Sequence, residues 1–345
     1  MKPYKPIIQD EHFRKSNLFR SFKKNPLGFI DLGCAGDVHP MISPVVSLTH
    51  CTCFEPDGKA WRRLQERYVD HHFAQLSILN KAAGEKTGKG KLYLTKSQVN
   101  SSLLKPNSEM TLRYGMKGFQ VDKVLPIPTV SLDDIVFDPV HKGIRLGEFI
   151  KTDCQGAEYD IFQGSRKVLK EQCQALWCEL EFFQMYHKQR TFSEVDGYLR
   201  EQGFLLYGLY PNYVSAKKIN RREGDTEERV AWADALYFKD PLGNSKNRKG
   251  ISERDVQVLL LVAVLTGFYD YALELIEAYF KTSRKDYGHL KKWIFSLAAN
   301  QKESLEVDLQ RLIRESRKYP EKSYLLTKKF IDRHGSNNNC DFISV

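Results

Sequence analysis

Short apolar segments that end in a polar or acidic residue recur along the first two thirds of this 345-residue chain. Segments of this length, rich in β-branched and aromatic residues, predict β-strands. Stretches whose apolar residues have helical spacing, such as residues 58–69, 157–171 and 192–202, lie between several of them. This alternation predicts an α/β fold with a mostly parallel sheet. The predicted strands are residues 28–33, 51–56, 77–80, 148–153, 175–179, 204–209 and 235–238.

The segment at residues 240–249 marks a change in the pattern of the chain. It reads DPLGNSKNRK, and its turn residues and lysines are typical of a domain boundary. Beyond this segment the spacing of apolar residues is helical nearly to the end of the chain. It predicts separate helices at residues 290–299, 305–316 and 323–334. The last residues, 335–345, are expected to fray. We therefore expect a basic lead-in at residues 1–26, an α/β domain at residues 27–242 and a helical C-terminal region at residues 250–336.

Charge and composition exclude several classes of protein. Hydrophobic residues make up 41% of the chain, which argues against disorder. The formal net charge of +10 permits an anionic partner without demonstrating one. The seven cysteines form no CxxC pair, and the first residues lack the apolar core of a signal peptide, so we expect a reduced, cytoplasmic protein. The longest apolar run, residues 258–265, is far shorter than the ~20 residues that cross a bilayer, so we expect no integral membrane segment.

Four carboxylates stand at the ends of predicted strands: Asp31, Glu55, Asp153 and Glu179. The carboxyl ends of parallel strands meet at one edge of the sheet, so these acids should converge on one crevice. Crowded carboxylates repel one another and favour a cationic or hydroxyl-rich ligand. S-adenosylmethionine has both properties, and an acid at the end of the second strand, Glu55, can accept two hydrogen bonds from its ribose. A nicotinamide dinucleotide is disfavoured, since its loop would need glycine at positions 35 and 38, where alanine and valine stand.

Several motifs, in order, resemble those of the FkbM family of S-adenosylmethionine-dependent methyltransferases. The similarity covers about residues 28–238. One departure concerns the first loop, in which the second glycine, Gly36, follows Asp31 by five places and Asp37 occupies the sixth. The matching segments are KTDCQGAE at residues 151–158, FEP at 54–56, SLDDI at 131–135 and ELEF at 179–182.

The resemblance implies a fold and a set of site residues. The fold would be a Rossmann-like class I methyltransferase sheet, mostly parallel with an antiparallel edge strand, followed by a C-terminal all-helical extension. The implied cofactor residues are Asp31, Gly33 and Gly36 at the methionine end with the adjoining Asp37, Glu55 at the ribose, and Asn80 near the adenine. The expected substrate residues are Ser101, Ser102, Glu158, Glu179 and Tyr186; Glu158 is equally well explained as a carboxylate that caps the start of a helix.

A methyl acceptor with a hydroxyl group also needs a base. Asp153 is the first candidate because it would lie near the transferred methyl, and His187 is the second because imidazole titrates near neutrality. His187 also reads as a surface histidine in the polar run YHKQR. We expect no metal, although strand-end carboxylates could bind magnesium.

The resemblance implies O-methylation of a sugar, a polysaccharide or a glycoconjugate precursor, and the basic excess suggests an acceptor that carries phosphate or carboxylate. Two alternatives stay open: a nucleic-acid methyltransferase or binding protein, and a non-catalytic adapter with a vestigial methyltransferase fold. We expect a small-molecule or glycan substrate, no nucleic-acid partner, and association into a homo-oligomer through the C-terminal helices.

Overall fold

The computed structural model describes residues 7–34, 36–215, 228–324, 326–327 and 330. Some predicted features lie outside these residues. They are Ala35 of the first loop and the chain after residue 330, which includes the end of the predicted helix 323–334 and the tail 335–345.

A seven-stranded sheet and a three-stranded sheet contain the strands of the described chain. In the larger sheet the order is β3-β2-β1-β7-β8-β10-β9, and the first five of these strands run parallel. This confirms the predicted fold class, a Rossmann-like, mostly parallel sheet with a helical C-terminal extension. The strands are β1 (Leu27–Leu32), β2 (Thr49–Phe54), β3 (Gln75–Leu79), β4 (Ala82–Ala83), β5 (Gly88–Thr95), β6 (Val121–Val130), β7 (Phe149–Thr152), β8 (Ala175–Glu181), β9 (Leu205–Val214) and β10 (Arg229–Phe238).

An antiparallel strand was predicted at the edge of the sheet. The antiparallel strand, β10, instead lies one position in from the edge. Strand β10 pairs antiparallel with both β8 and β9, which leaves β9 at the edge and parallel to the rest. The difference has a physical reason in burial. Ala233, Ala235 and Leu236 of β10 are fully buried, whereas β9 is only partly covered, so the more apolar strand of the hairpin takes the inner position.

The small sheet, of order β4-β6-β5, was not predicted. Its strands carry lysines, glycines and two prolines, and most positions of β5 and β6 are exposed or half-buried. Such residues weaken the strand signal of a sequence. The buried side of this sheet consists of Ala82, Leu92 and Ile127.

The helices fill most of the remaining chain. The predicted helix 157–171 is broken at Gly164, where an added Cβ would lie 2.3 Å from the carbonyl oxygen of Gly84, and the helices predicted at 290–299 and 305–316 are one continuous helix. The helices are α1 (Glu11–Lys15), α2 (Asn17–Lys24), α3 (Gly58–Arg67), α4 (Ser108–Arg113), α5 (Leu132–Val136), α6 (Glu158–Gln163), α7 (Arg166–Glu171), α8 (Phe192–Glu201), α9 (Ser245–Arg248), α10 (Glu253–Thr266), α11 (Tyr269–Tyr279) and α12 (Arg284–Lys318).

Helix α10 is joined to the strands of the large sheet by a buried ion pair. Glu148, which is fully buried, accepts hydrogen bonds from Arg254 Nε at 2.8 Å and Nη2 at 2.6 Å and from the backbone N–H of Gly28 at 3.0 Å. A buried carboxylate needs such partners. They attach α10 to the start of β1 although α10 lies beyond the sequence boundary at residues 240–249.

The chain divides into two compact units, Arg20–Thr266 and the combination of Met1–Phe19 with Gly267–Val345. The first contains both sheets and α10. In the second, Phe13 of α1 stacks on Trp293 of α12 with ring centroids 4.5 Å apart. The expected ranges 1–26, 27–242 and 250–336 were drawn from composition and stay a prediction about domains. None of the helices in the described part of the chain has the length and apolar character that crossing a membrane requires.

Candidate functional site

A cleft that is partly open to solvent lies at the carboxyl ends of β1, β2 and β7. Its polar residues include Glu55, Asp57 and Asp153, and it is also lined by the predicted pair Ser101 and Ser102. The opposite wall is apolar and comes from the small sheet and α3. The apolar lining includes Ala60, Ala82, Ala83, Leu92, Leu94 and Leu103.

Glu55 follows β2 directly and is only 4% exposed. Its Oε1 accepts a hydrogen bond from the backbone N–H of Asp57 at 2.8 Å. Burial, with a contribution from the nearby charge of Asp57, raises the pKa of the Glu55 carboxyl to about 7. Glu55 is therefore a buried carboxyl that lines a cleft and titrates near neutrality.

Asn80, predicted near an adenine, is not among the residues that line the cleft. Its amide donates hydrogen bonds to the carbonyl oxygens of Glu55 at 2.9 Å and Pro56 at 3.2 Å. The side chain therefore holds the turn that carries Glu55.

The first loop contains one glycine that the fold requires and one that it does not. Gly33 has φ +86°, and a Cβ there would lie 2.0 Å from the carbonyl oxygen of Asp153, so only glycine allows this close approach of the loop to β7. Gly36 is exposed with open space around it. Asp37 hydrogen-bonds to Tyr68 and lies 2.6 Å from Arg67 Nη2. Gly36 and Asp37 were both predicted to bind the cofactor, but neither lines the cleft, because the loop turns toward the end of α3.

Asp31 is fully buried and already paired with a lysine of this chain. Its Oδ1 lies 3.3 Å from Nζ of Lys151, and its Oδ2 accepts a hydrogen bond from the backbone N–H of His39 at 2.7 Å. Lys151 also donates to the carbonyl oxygen of Leu32 and lies 3.9 Å from Asp153 Oδ2. Burial opposes ionisation of Lys151, but the carboxylates of Asp31 and Asp153 outweigh it and raise the lysine pKa. Asp31 is not among the residues that line the cleft and is paired with a buried lysine, and its contact with a cofactor stays a prediction.

Gln155 connects four of the predicted site residues. Its Nε2 donates to Asp153 Oδ1 at 2.8 Å and to Glu179 Oε1 at 2.9 Å. Its Oε1 lies 2.9 Å from the hydroxyl of Tyr186, and its backbone oxygen accepts a hydrogen bond from Ser102 at 2.8 Å. The residue has φ +56°, an uncommon conformation for a non-glycine residue. Sequence analysis did not single out Gln155, although a glutamine directly before the turn glycine of a strand–helix connection was a usable signal.

Three of the predicted substrate residues make hydrogen bonds to residues around the cleft. Tyr186 is completely buried, does not line the cleft and positions Gln155. Ser101 lines the cleft and accepts a hydrogen bond from the backbone N–H of Thr95. Glu158 is 2% exposed, accepts a 2.6 Å hydrogen bond from the backbone N–H of Cys154, and has a pKa that burial raises to about 7. Glu158 therefore holds the turn that precedes α6, where no side chain caps the helix, and its role toward a substrate stays a prediction.

His187 is exposed and is not among the cleft residues, so the second predicted base lies outside the site. It lies on the surface because the chain turns sharply there, with Lys188 at φ +65°. A different histidine, His39, lies half-buried beside Asp31. Burial and the charge of Lys151 lower the pKa of His39, which keeps its imidazole neutral. Its sequence signal was weak, because it is a lone histidine before a proline.

Beside Asp153, strands β8 and β10 present further carboxylates on one face of the sheet. Glu179 lies directly opposite Asp234 in the antiparallel ladder. Burial, together with the neighbouring Asp153, raises the pKa of both carboxyls. The indole Nε1 of Trp177 donates to Asp234 Oδ1 at 3.3 Å. The Trp177 ring stacks on Tyr210 with centroids 5.4 Å apart and an interplanar angle of 17°.

Comparison with known proteins identifies the domain. Residues 46–206 match the family model of the methyltransferase FkbM domain. Among curated proteins no sequence matches the chain.

Solved structures with some similarity include the following three. The methyltransferase FkbM from Methylobacillus flagellatus KT is 17% identical with a TM-score of 0.36; the match covers 62% of this chain and 43% of that protein, less than half its length. Magnesium protoporphyrin IX methyltransferase (ChlM) from Synechocystis PCC 6803 is 10% identical, with a TM-score of 0.30 and coverage of 64% and 74%. TrmK from M. capricolum is 7% identical, with a TM-score of 0.30 and coverage of 83% and 96%.

The region that matches the family model contains the buried Glu55, the serine pair at 101–102 and the turn KTDCQGAE. The family predicted from these motifs is thereby confirmed. Residues 46–206 of this chain are a methyltransferase domain of the FkbM family.

Proposed function

We propose that this chain is an S-adenosylmethionine-dependent O-methyltransferase that acts on a hydroxyl of a sugar, a polysaccharide or a glycoconjugate precursor. The observation that carries the proposal is Glu55, a buried carboxyl at the end of β2 that lines an open cleft with an apolar opposite wall. The FkbM methyltransferase domain supports it independently.

The residues of the cleft fit S-adenosylmethionine. Glu55 can accept hydrogen bonds from both hydroxyls of a ribose, and the wall formed by Ala82, Ala83 and Leu92 suits a purine ring. Asp153, 39% exposed at its side chain, is the acid that can face a positive charge, since Asp31 is neutralised by Lys151. When bound, the cofactor supplies a methyl group on a positively charged sulfur.

The residues of the chain would then orient the acceptor and take its proton. Gln155 fixes Asp153 through Oδ1, which leaves Oδ2 as the oxygen that would accept the proton of the acceptor hydroxyl. Nζ of Lys151 lies 3.9 Å from that oxygen. Holding two reactants in line can contribute about 7–11 kcal/mol to lowering a barrier, so the rigid frame around Gln155 is central to the proposal.

Calorimetry of the full chain with S-adenosylmethionine and S-adenosylhomocysteine tests the proposal. Glu55→Gln should weaken binding about tenfold or more, because an amide cannot accept two charge-assisted hydrogen bonds. The wild-type affinity should rise between about pH 6 and pH 8, because Glu55 ionises with a pKa of about 7, and the dependence should disappear in Glu55→Gln.

Glu66→Gln, an exposed change on α3, is the matched control and should leave binding unchanged. Absence of heat with either compound would contradict the proposal and favour the adapter alternative. Equal binding by wild type and Glu55→Gln would contradict the role of the glutamate.

The nucleic-acid alternative has less support. The proposed acceptor side of the site is rich in carboxylates, which repel a phosphate backbone. Basic residues of the C-terminal helices are partly paired with acids, as in Lys281 and Lys291 with Glu277. Filter binding with RNA and DNA at two salt concentrations separates the two functions. Homo-oligomerisation through the C-terminal helices and a cytoplasmic location stay predictions.

A further inference from the structure

We infer that the acceptor binds against the stacked pair Trp177 and Tyr210, and that it is an uncharged or amino-bearing sugar ring rather than a phosphorylated or carboxylated one. The inference rests on the proposed function and specifies its substrate class. It differs from the expectation of an acidic acceptor, which came from the net charge of the whole chain.

The aromatic pair does not line the cleft; it forms a platform on the face of β8 that also carries Glu179. Both rings are half-buried and nearly parallel, and the indole Nε1 is held by Asp234. The imidazole of His39 lies nearby, with its ring centroid 6.2 Å from that of Trp177. Flat aromatic faces pack well against the C–H bonds of a sugar ring, and fixed polar groups beside them suit its hydroxyls.

The platform adjoins the proposed base. Lys151 and Trp177 are partners in the parallel ladder of β7 and β8. Just beyond β7, Asp153 is held beside Glu179 of β8, because Gln155 Nε2 donates hydrogen bonds to both carboxyls. A ring on the platform would therefore lie beside Asp153 at the end of β7.

The polar groups beside the platform are acids. Glu179 and Asp234 face each other across the ladder, and Glu181 follows two residues after Glu179 on the same face. Glu181 is 2% exposed, and its Oε1 has no hydrogen-bond partner among the described residues. A buried oxygen without a partner is costly unless a ligand or water supplies the donor. A polyol has hydroxyl donors, and an amino sugar adds an ammonium group.

The sign of the local charge excludes an anionic ring. Lys151 is already engaged by Asp31 and Asp153, so its charge does not favour a further anion. Asp153 and Glu179 share the partner Gln155, and Asp234 lies opposite Glu179, so three carboxyls are grouped here and a further negative charge is unfavourable. The net positive charge of the whole chain therefore does not come from residues beside the Trp177–Tyr210 platform.

Saturation-transfer NMR on the full chain tests the inference, with and without S-adenosylhomocysteine. The probes are three matched sets: glucose, galactose and mannose; their 2-amino forms; and their 6-phosphates. The neutral and amino sugars should give signals from their ring protons, and the phosphates should give signals about tenfold weaker or none. Trp177→Ala should reduce the signals about five- to tenfold.

Two further variants keep the test decisive if Trp177→Ala folds poorly. Asp234→Asn keeps an oxygen for the indole and removes a charge, so it should increase the signals of the phosphates relative to the neutral sugars. Tyr213→Ala, an exposed aromatic three residues from Tyr210 on β9, is the matched control and should change nothing.

The inference is overturned if the phosphates bind as well as the neutral sugars, if no probe gives a signal, or if neither Trp177→Ala nor Asp234→Asn changes the pattern. Calorimetry with S-adenosylmethionine distinguishes this failure from failure of the proposed function. Cofactor binding without sugar signals rejects the acceptor platform alone. Sugar signals without cofactor binding reject the methyltransferase activity alone.

Discussion

Lys151 is a single residue that changes which of the neighbouring acids need a positively charged ligand. Seen in the sequence, the strand-end acids need an external cation. In the structure, Lys151 lies on β7 directly opposite Asp31 of β1 and is 6% exposed, so a charge of the chain itself balances the buried acid. The carboxylates that are left for ligands are Glu55 on one side and the group around Asp153 on the other.

Replacing this lysine should be costly. Lys151→Met leaves Asp31 buried and unpaired, and the loss of one partner of a buried pair typically costs about 3–5 kcal/mol of the free energy of unfolding. Urea denaturation measures the difference. The double variant Lys151→Met with Asp31→Asn should recover part of the loss, because it removes the stranded charge. Lys91→Met, an exposed change on β5, is the control. A loss below about 1 kcal/mol for the single variant would show that the pair is not required.

At the scale of elements, the loop after β1 is positioned by backbone contact with β7. The resemblance to the family assigned the same role to both of its glycines, but their surroundings differ. Gly33 is pressed against the Asp153 backbone with a positive φ, whereas Gly36 has no neighbouring atoms within 4 Å of an added Cβ.

Alanine at these two positions gives a matched pair of variants. Gly33→Ala should lose about 2–4 kcal/mol of stability and weaken cofactor binding, because a Cβ in that conformation displaces the end of β7. Gly36→Ala should change stability by less than about 0.5 kcal/mol. Thermal unfolding and calorimetry measure both effects. Equal effects of the two substitutions would contradict the contact between the loop and β7.

At the scale of the whole molecule, buried carboxyls should make stability depend on pH. Burial raises the pKa values of Glu55 and Glu158 to about 7 in the folded state, against the ordinary value of 4.5 for a glutamate. The folded protein then holds protons that the unfolded chain has released, so stability falls as pH rises from about 4.5 through 7. His39 has a lowered pKa and acts in the opposite sense below its unfolded pKa, so the clearest window lies above it.

The unfolding temperature should therefore be higher at about pH 6.5 than at pH 8, with a loss of roughly 1 kcal/mol for each of the two carboxyls. Calorimetric scans in buffers of matched ionic strength measure it. Glu55→Gln should reduce the slope, and Glu66→Gln should leave it unchanged. A stability that is constant or rises between these pH values would contradict the burial of ionisable carboxyls at the site.

The strands of the large sheet and the acid at the end of β2 were predictable because they depend on local patterns. Apolar runs ending in an acid are visible in residues 28–33 and 51–56, and the turn KTDCQGAE identifies the family. The small sheet was not predicted, because the lysines and prolines in its strands obscure the spacing of the few apolar residues that it buries. His187 was preferred to His39 because titration chemistry can be read from a sequence and burial cannot.

The sequence by itself determined the fold class, the family and the acid that lines the cleft, since each follows from residues that are close together in the chain. Only the tertiary structure decided which acids are neutralised. The partners of Asp31 and Glu179 come from another strand and from the turn after β7, and the pairing of charges across a sheet depends on register and burial rather than on sequence distance.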